Sequence, residues 1–158
     1  MCVRASTYER TKPVSWYATP ISAQWSRTVG CAFARCGLVT SGHPVPPVAP
    51  SGIERWTYET ASLPEADDGG PLRIVAGDFN ATLDHAALRD LLASGYVDAA
   101  AETGNGLEPT WPNGRPSPPL TIDHVLVDGT ASVDATSVHD APGSDHRAVL
   151  ATLTLPAG

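Results

Sequence analysis

The chain has little cysteine: three among 158 residues, and Cys2, Cys31 and Cys36 all fall within the first 37. Cys31 and Cys36 have no second ligand pair at zinc-site spacing, and three clustered cysteines do not make a disulfide scaffold. Charged residues are scarce at 17%, and Lys12 is the sole lysine. No apolar stretch approaches the roughly 18 consecutive residues of a membrane helix. No basic start followed by an apolar run reads as a signal peptide. Nor is there an internal repeat at a fixed period. These deficits argue against a membrane span, a coiled coil and a disulfide scaffold.

Glycine and proline, by contrast, are plentiful at 14 and 15 residues, which predicts many turns and long loops. Hydrophobic residues make up 42% of the chain, enough for a packed core. Charge is split along the sequence. Residues 1–37 hold five cations against Glu9 alone, whereas residues 38–158 hold five arginines against sixteen acids. So sharp a break predicts two pieces: an unmatched leader over 1–37, disordered or foreign to the fold, and a domain over 38–158. The leader shows neither a helical stripe nor clean alternation.

From Gly37 onward the pattern becomes regular. Gly37–Thr40 reads as the end of a strand, and His43–Pro47 as a rigid loop. Ser51–Glu54 has the form of a capping box opening a helix to Leu63, which Pro64 stops. Leu72–Ala76 reads as a buried strand. Asp84 can cap a helix over His85–Ser94, with Gly95 at its end. Residues 102–120 form a long Gly/Pro/Asn-rich loop. Further strands are expected over Thr121–Val127, Ala131–Val138 and Arg147–Leu155. Strands mixed with two helices predict a layered α/β (α+β) domain, its four strands in one sheet with both helices on one face.

The chemistry-bearing residues cluster at strand ends. Asp78 and Asn80, in Gly77-Asp78-Phe79-Asn80, can point at one small site, or can form an Asx-turn. Asp123 lies in an apolar strand, where a carboxylate is costly unless paired. It either faces water on an edge strand or holds a histidine. Ser144-Asp145-His146 before the last strand offers that histidine, or is a capped turn. Ser144 lacks the strained G-x-S-x-G elbow of a nucleophile. His43 is an isolated loop residue by itself. His85 and His139 have no role from context, and His124 faces away from Asp123 in a regular strand.

In their order, His43, Gly77-Asp78-Phe79-Asn80, Thr110-Trp111-Pro112, Asp123-His124 and Ser144-Asp145-His146 resemble the endonuclease/exonuclease/phosphatase family. The resemblance runs from Val39 to Pro156 and covers the C-terminal half of that deoxyribonuclease I-like fold. Asn80–His85, Pro109–Pro112 and Pro142–Arg147 look like its actinobacterial branch, where the domain often lies outside the cell behind membrane helices. The resemblance implies a four-layer sandwich and a phosphoric ester hydrolase dependent on Mg²⁺ (or Mn²⁺). It implies that His146 acts on the phosphoryl group and Asp123 orients it. Asp78 orients or activates water or helps hold metal, Asn80 donates to the phosphate, His43 contacts it opposite His146, and Asp145 ligates the cation. The substrate class is nucleic acid or a phospholipid headgroup.

The family's early Asn and Glu ligand have no counterpart before His43; Glu9 has no strand around it. The expectation is therefore a truncated enzyme, weakly active or inactive alone, or else a non-catalytic remnant binding at most a cation or partner. An uncovered sheet face would then favour self-association. A nucleic-acid binding module built on the basic leader is disfavoured by the acidic body.

Overall fold

The computed structural model describes residues 2–5, 14–15, 26–29, 37–66 and 71–156. In chain order the elements are β1 (Cys2–Ala5), β2 (Val14–Ser15), β3 (Ser26–Val29), β4 (Gly37–Gly42), α1 (Pro50–Ala61), β5 (Arg73–Asp78), α2 (Ala86–Ala93), β6 (Tyr96–Asp98), α3 (Ala99–Glu102), β7 (Asp123–Asp128), β8 (Ser132–His139) and β9 (Ala148–Thr154). They build two sheets, β3-β4-β5-β7-β6 and β2-β1-β9-β8.

The single sheet expected from the sequence is thereby corrected. β5 and β7 pair antiparallel in the five-stranded sheet, while β8 and β9 pair in the other. Burial gives the reason. β7 is buried along five consecutive residues, as a central strand covered on both faces must be, whereas much of β8 is open to solvent. The Asp128–Ala131 turn, closed by Ala131 N–H on the Asp128 carbonyl at 2.9 Å, carries the chain from one sheet to the other.

Two cores follow from this layering. Ile74, Ala76, Val125 and Val127 meet Val149, Ala151 and Leu153 between the sheets. On the opposite side, Val75 and Leu126 meet Trp56 and Leu63, from α1 and the segment after it, and Leu88 and Leu91 of α2. The period-2 alternation of a strand thus serves one core with each face. Three of the four expected layers are described.

Helix boundaries differ in detail. Pro50 at the first turn opens α1 after Ala49, with no side-chain cap, so Ser51 lies inside the helix. α2 begins after His85, and Asp84 does not cap it. Its end is as expected, with Gly95 at a φ of 117°. β6 and α3 were not anticipated; Asp98 caps α3 by accepting the Ala101 N–H at 2.8 Å.

The expectation of a disordered leader falls largely outside the described residues, as does Glu9. The strand pieces described there belong to the sheets: β1 runs parallel to β9, and β3 antiparallel to β4. Among the described residues no helix is long and apolar enough to cross a membrane.

Candidate active site

Sheet register places the first three residues. β4 and β5 are parallel with Gly42 level with Gly77, so His43 and Asp78 leave the sheet side by side. β5 and β7 are antiparallel with Asp78 directly across from Asp123. Two carboxylates opposite one another in a ladder repel, an arrangement with no structural benefit of its own. His43 Nε2 lies 3.6 Å from Asp78 Oδ2.

The fourth residue arrives from the other sheet. The Ala141–Ser144 turn, with Gly143 at a φ of 83°, ends just before β9. Ser144 Oγ accepts the His146 N–H at 3.0 Å and serves as a turn cap. Asn113 ties this turn to the 103–120 loop, its side chain donating to the Ala141 and Ser144 carbonyls at 3.2 Å each. Arg147 donates to the Pro109 carbonyl at 3.0 Å, while Thr110 Oγ1 accepts the Asp123 N–H at 3.1 Å. The loop is therefore a brace between β7 and the start of β9.

So held, His146 Nδ1 stands 2.9 Å from Asp123 Oδ2, and its Nε2 lies 3.8 Å from Asp78 Oδ2. The Asp123 hydrogen bond raises the proton affinity of the imidazole, against the opposing effect of burial. Burial raises that of Asp78, and the neighbouring Asp123 charge raises it further.

Asn80 sits beside this group in a left-handed turn, at a φ of 49°. Its N–H donates to Asp78 Oδ1 at 2.8 Å, which is the Asx-turn, and its Nδ2 donates to the Pro44 carbonyl at 3.0 Å. The turn and a shared site are thus compatible. His43, Asp78, Asn80, Asp123 and His146 come together.

Asp145 is at the rim, its carboxylate 3.5 Å from Arg115. Asp78, Asp123 and His146 offer ligand atoms within 4.8 Å of one another, a group that does not include Asp145. The crowded Asp78 and Asp123 carboxylates, facing each other across the ladder, fit a hard divalent cation.

One residue outside the expected set is built into the same region. His124 is buried on the far side of β7, its Nδ1 2.9 Å from Asp98 Oδ2 and its Nε2 2.8 Å from the Ala81 carbonyl. Burial is the largest influence and opposes its charge, yet the hydrogen bond and charge of Asp98, the Ala81 carbonyl and the Asp123 charge together outweigh it, and its proton affinity is raised. The alternation that turned it away from Asp123 was readable; its distant partner Asp98 was not.

Comparison with known proteins agrees with this architecture. The endonuclease/exonuclease/phosphatase family model matches residues 4–146, beginning inside the segment set apart as a leader. No curated protein matches. Among solved structures the fold is similar to an endonuclease/exonuclease/phosphatase from Beutenbergia cavernae DSM 12333 (TM-score 0.66, 20% identity, 84% of this chain and 39% of that one). It is similar to a functionally unknown conserved protein from Enterococcus faecalis V583 (TM-score 0.57, 18% identity, 79% and 52%). It is also similar to a Neisseria 3′ phosphatase bound to product DNA hairpin (TM-score 0.57, 20% identity, 71% and 59%). The chain spans less than two thirds of each.

Proposed function

The chain belongs to the endonuclease/exonuclease/phosphatase family, and from that we propose that its site hydrolyses phosphoric esters with a divalent cation, Mg²⁺ or Mn²⁺. The observation that carries the reading is the Asp123–His146 pair, 2.9 Å apart, set against a partly buried Asp78 at the ends of strands from two sheets.

Asp123 accepts from Nδ1 and fixes the ring, so Nε2 is the nitrogen presented to substrate. His146, its charged form favoured by that bond, donates to the phosphoryl group and then gives its proton to the departing ester oxygen. Asp78 orients the attacking water and accepts its proton, a task its raised proton affinity suits. The water oxygen forms the new bond to phosphorus as the ester bond breaks. Asn80 keeps one amide N–H on Pro44 and offers the second to a phosphoryl oxygen. His43 contacts the phosphate from the side opposite His146. Asp145 would hold the cation, joined by Asp78 in the alternative in which Asp78 is a ligand and not the base; the cation would supply charge neutralisation at the phosphoryl oxygens.

The chemistry calls for a phosphate ester, and the family resemblance points to one of nucleic acid or of a phospholipid headgroup. The sixteen acids after residue 37 disfavour long polyanions. The motifs around Asn80, Trp111 and His146 support a place in the actinobacterial branch.

The test is hydrolysis of bis-p-nitrophenyl phosphate by the purified chain with Mg²⁺ or Mn²⁺. Slow, cation-dependent turnover that falls about 10²-fold or more in His146→Ala is the expected result. A folded chain whose rate equals the enzyme-free control would overturn it in favour of a non-catalytic domain.

A further inference from the structure

Asn80 carries its side chain on a backbone that costs free energy. A φ of 49° lies in the left-handed region, unfavourable for a residue with a Cβ, though asparagine bears it better than most. The Asp78 carboxylate satisfies the Asn80 N–H, but it leaves the two flanking carbonyls to be placed by something else. Both are held by buried ring N–H groups from other elements. Trp56 Nε1, on α1, donates to the Phe79 carbonyl at 2.8 Å. His124 Nε2, on β7, lies 2.8 Å from the Ala81 carbonyl.

His124 is itself fixed with care. It is 1% exposed, its other nitrogen is engaged by Asp98, and Phe79 packs edge-on against it with ring centroids 5.8 Å apart. Asp98 spends its second oxygen on the Ala101 N–H of α3. A pair of buried polar groups is a poor way to gain stability, because hydrophobic side chains of similar volume often serve as well or better. What it provides that an apolar filler does not is direction. An imidazolium, with an N–H on each ring nitrogen, donates to Asp98 and to the Ala81 carbonyl at once, so its Nε2 donor lies on a line fixed by Asp98.

The geometry points to His124 as a positioning residue. With Asp98 fixing its ring and Trp56 gripping the other side, it holds Phe79–Ala81 in the strained turn that presents the Asn80 carboxamide to the site. That Asn80 meets a phosphate rests on the reading above; the restraint on the turn does not.

The experiment compares three variants of the whole chain by native-state amide exchange and urea unfolding. His124→Phe keeps a ring and removes both donors. His124→Gln restores an N–H donor. Trp56→Phe releases the other carbonyl, and carries the comparison if His124→Phe does not fold. In a variant lacking a clamp, exchange at the Asn80 N–H should accelerate at least tenfold more than exchange along β9. His124→Gln should recover part of that protection. In the hydrolysis assay kcat should fall tenfold or more, with KM within about twofold. Asn80 and β9 accelerating together, in proportion to lost global stability, would show a merely structural role and overturn the assignment. Unchanged exchange at Asn80 would overturn it as well. A wild-type chain without hydrolysis would count against the phosphoesterase reading, while the exchange comparison would still decide the role of His124.

Discussion

Replacing Asp123 by asparagine removes one charge and almost no volume, so it isolates what that charge does. Two effects of opposite sign depend on it. The first is the hydrogen bond to His146, 2.9 Å long, between a side chain 8% exposed and one 27% exposed. Hydrogen bonds to charged groups contribute roughly 1.5–3 kcal/mol, and the open side of His146 reduces this to about 1–2 kcal/mol. Because the bond raises the proton affinity of His146, its contribution is fully present below the unfolded value of 6.5. It is lost as pH rises through the folded-state value.

The second effect is repulsion. Burial, and then Asp123, raises the proton affinity of Asp78 above its ordinary 3.8. The folded state therefore loses stability at Asp78 as pH rises and that carboxyl ionises, and part of the loss belongs to Asp123. Both effects make Asp123→Asn compare worst with wild type in mild acid and best in alkali. The asparagine Oδ1 can still accept from the Nδ1–H, so urea unfolding at about pH 6 should show the variant less stable by about 1 kcal/mol, the charge-assisted part of the bond. As pH rises through the folded-state value of His146 the gap should close or reverse. A gap that is constant, or that widens with pH, would refute the pairing of His146 with Asp123 as an energetically coupled unit.

Asn80→Gly relieves the left-handed strain while deleting the amide, so its melting temperature should match wild type or exceed it while hydrolysis falls tenfold or more. Asn80→Val, β-branched in that region, should melt several degrees lower; equal melting of the two would be inconsistent with strain at this turn. Gly77→Ala places a Cβ against the backbone of Gly42 on the neighbouring strand. It should cost about 3 kcal/mol or more, or prevent folding, as read by urea unfolding.

Much of the fold was legible because single strands and helices are local. The apolar run before Gly77 and the one around Val125 could only be strands, and Gly95 had to end a helix. The division into two sheets was not local. The Val149, Ala151, Leu153 alternation reads the same whichever sheet it lines, and the turn at Gly129 looks like a hairpin whether or not its strands pair. β6 was too short for a periodic signal. At the site, residue types and order indicated Asp78, Asn80, Asp123 and His146 as a group. The Asp123–His146 pairing was readable because an aspartate in so apolar a strand needs a partner. The His124–Asp98 contact was not, because Asp98 ends a three-residue strand too short to leave a periodic signal. Asp145 illustrates the reverse: motif context assigned it to the cation, while its carboxylate is described beside Arg115.

The site straddles the two sheets. Asp78 and Asp123 ride on one, His146 on the lead-in to a strand of the other, and what separates the sheets is an aliphatic layer in which Ala76 and Ala151 sit among Ile74, Val125, Val149 and Leu153. A shear of one sheet over the other by an ångström would lengthen the 2.9 Å bond at its rim beyond use, with every residue of the site intact. Enlarging Ala151, remote from the reacting atoms, would therefore act on the imidazole like a change of caliper setting. The 2.9 Å bond between Asp123 and His146 is thus a gauge of sheet alignment.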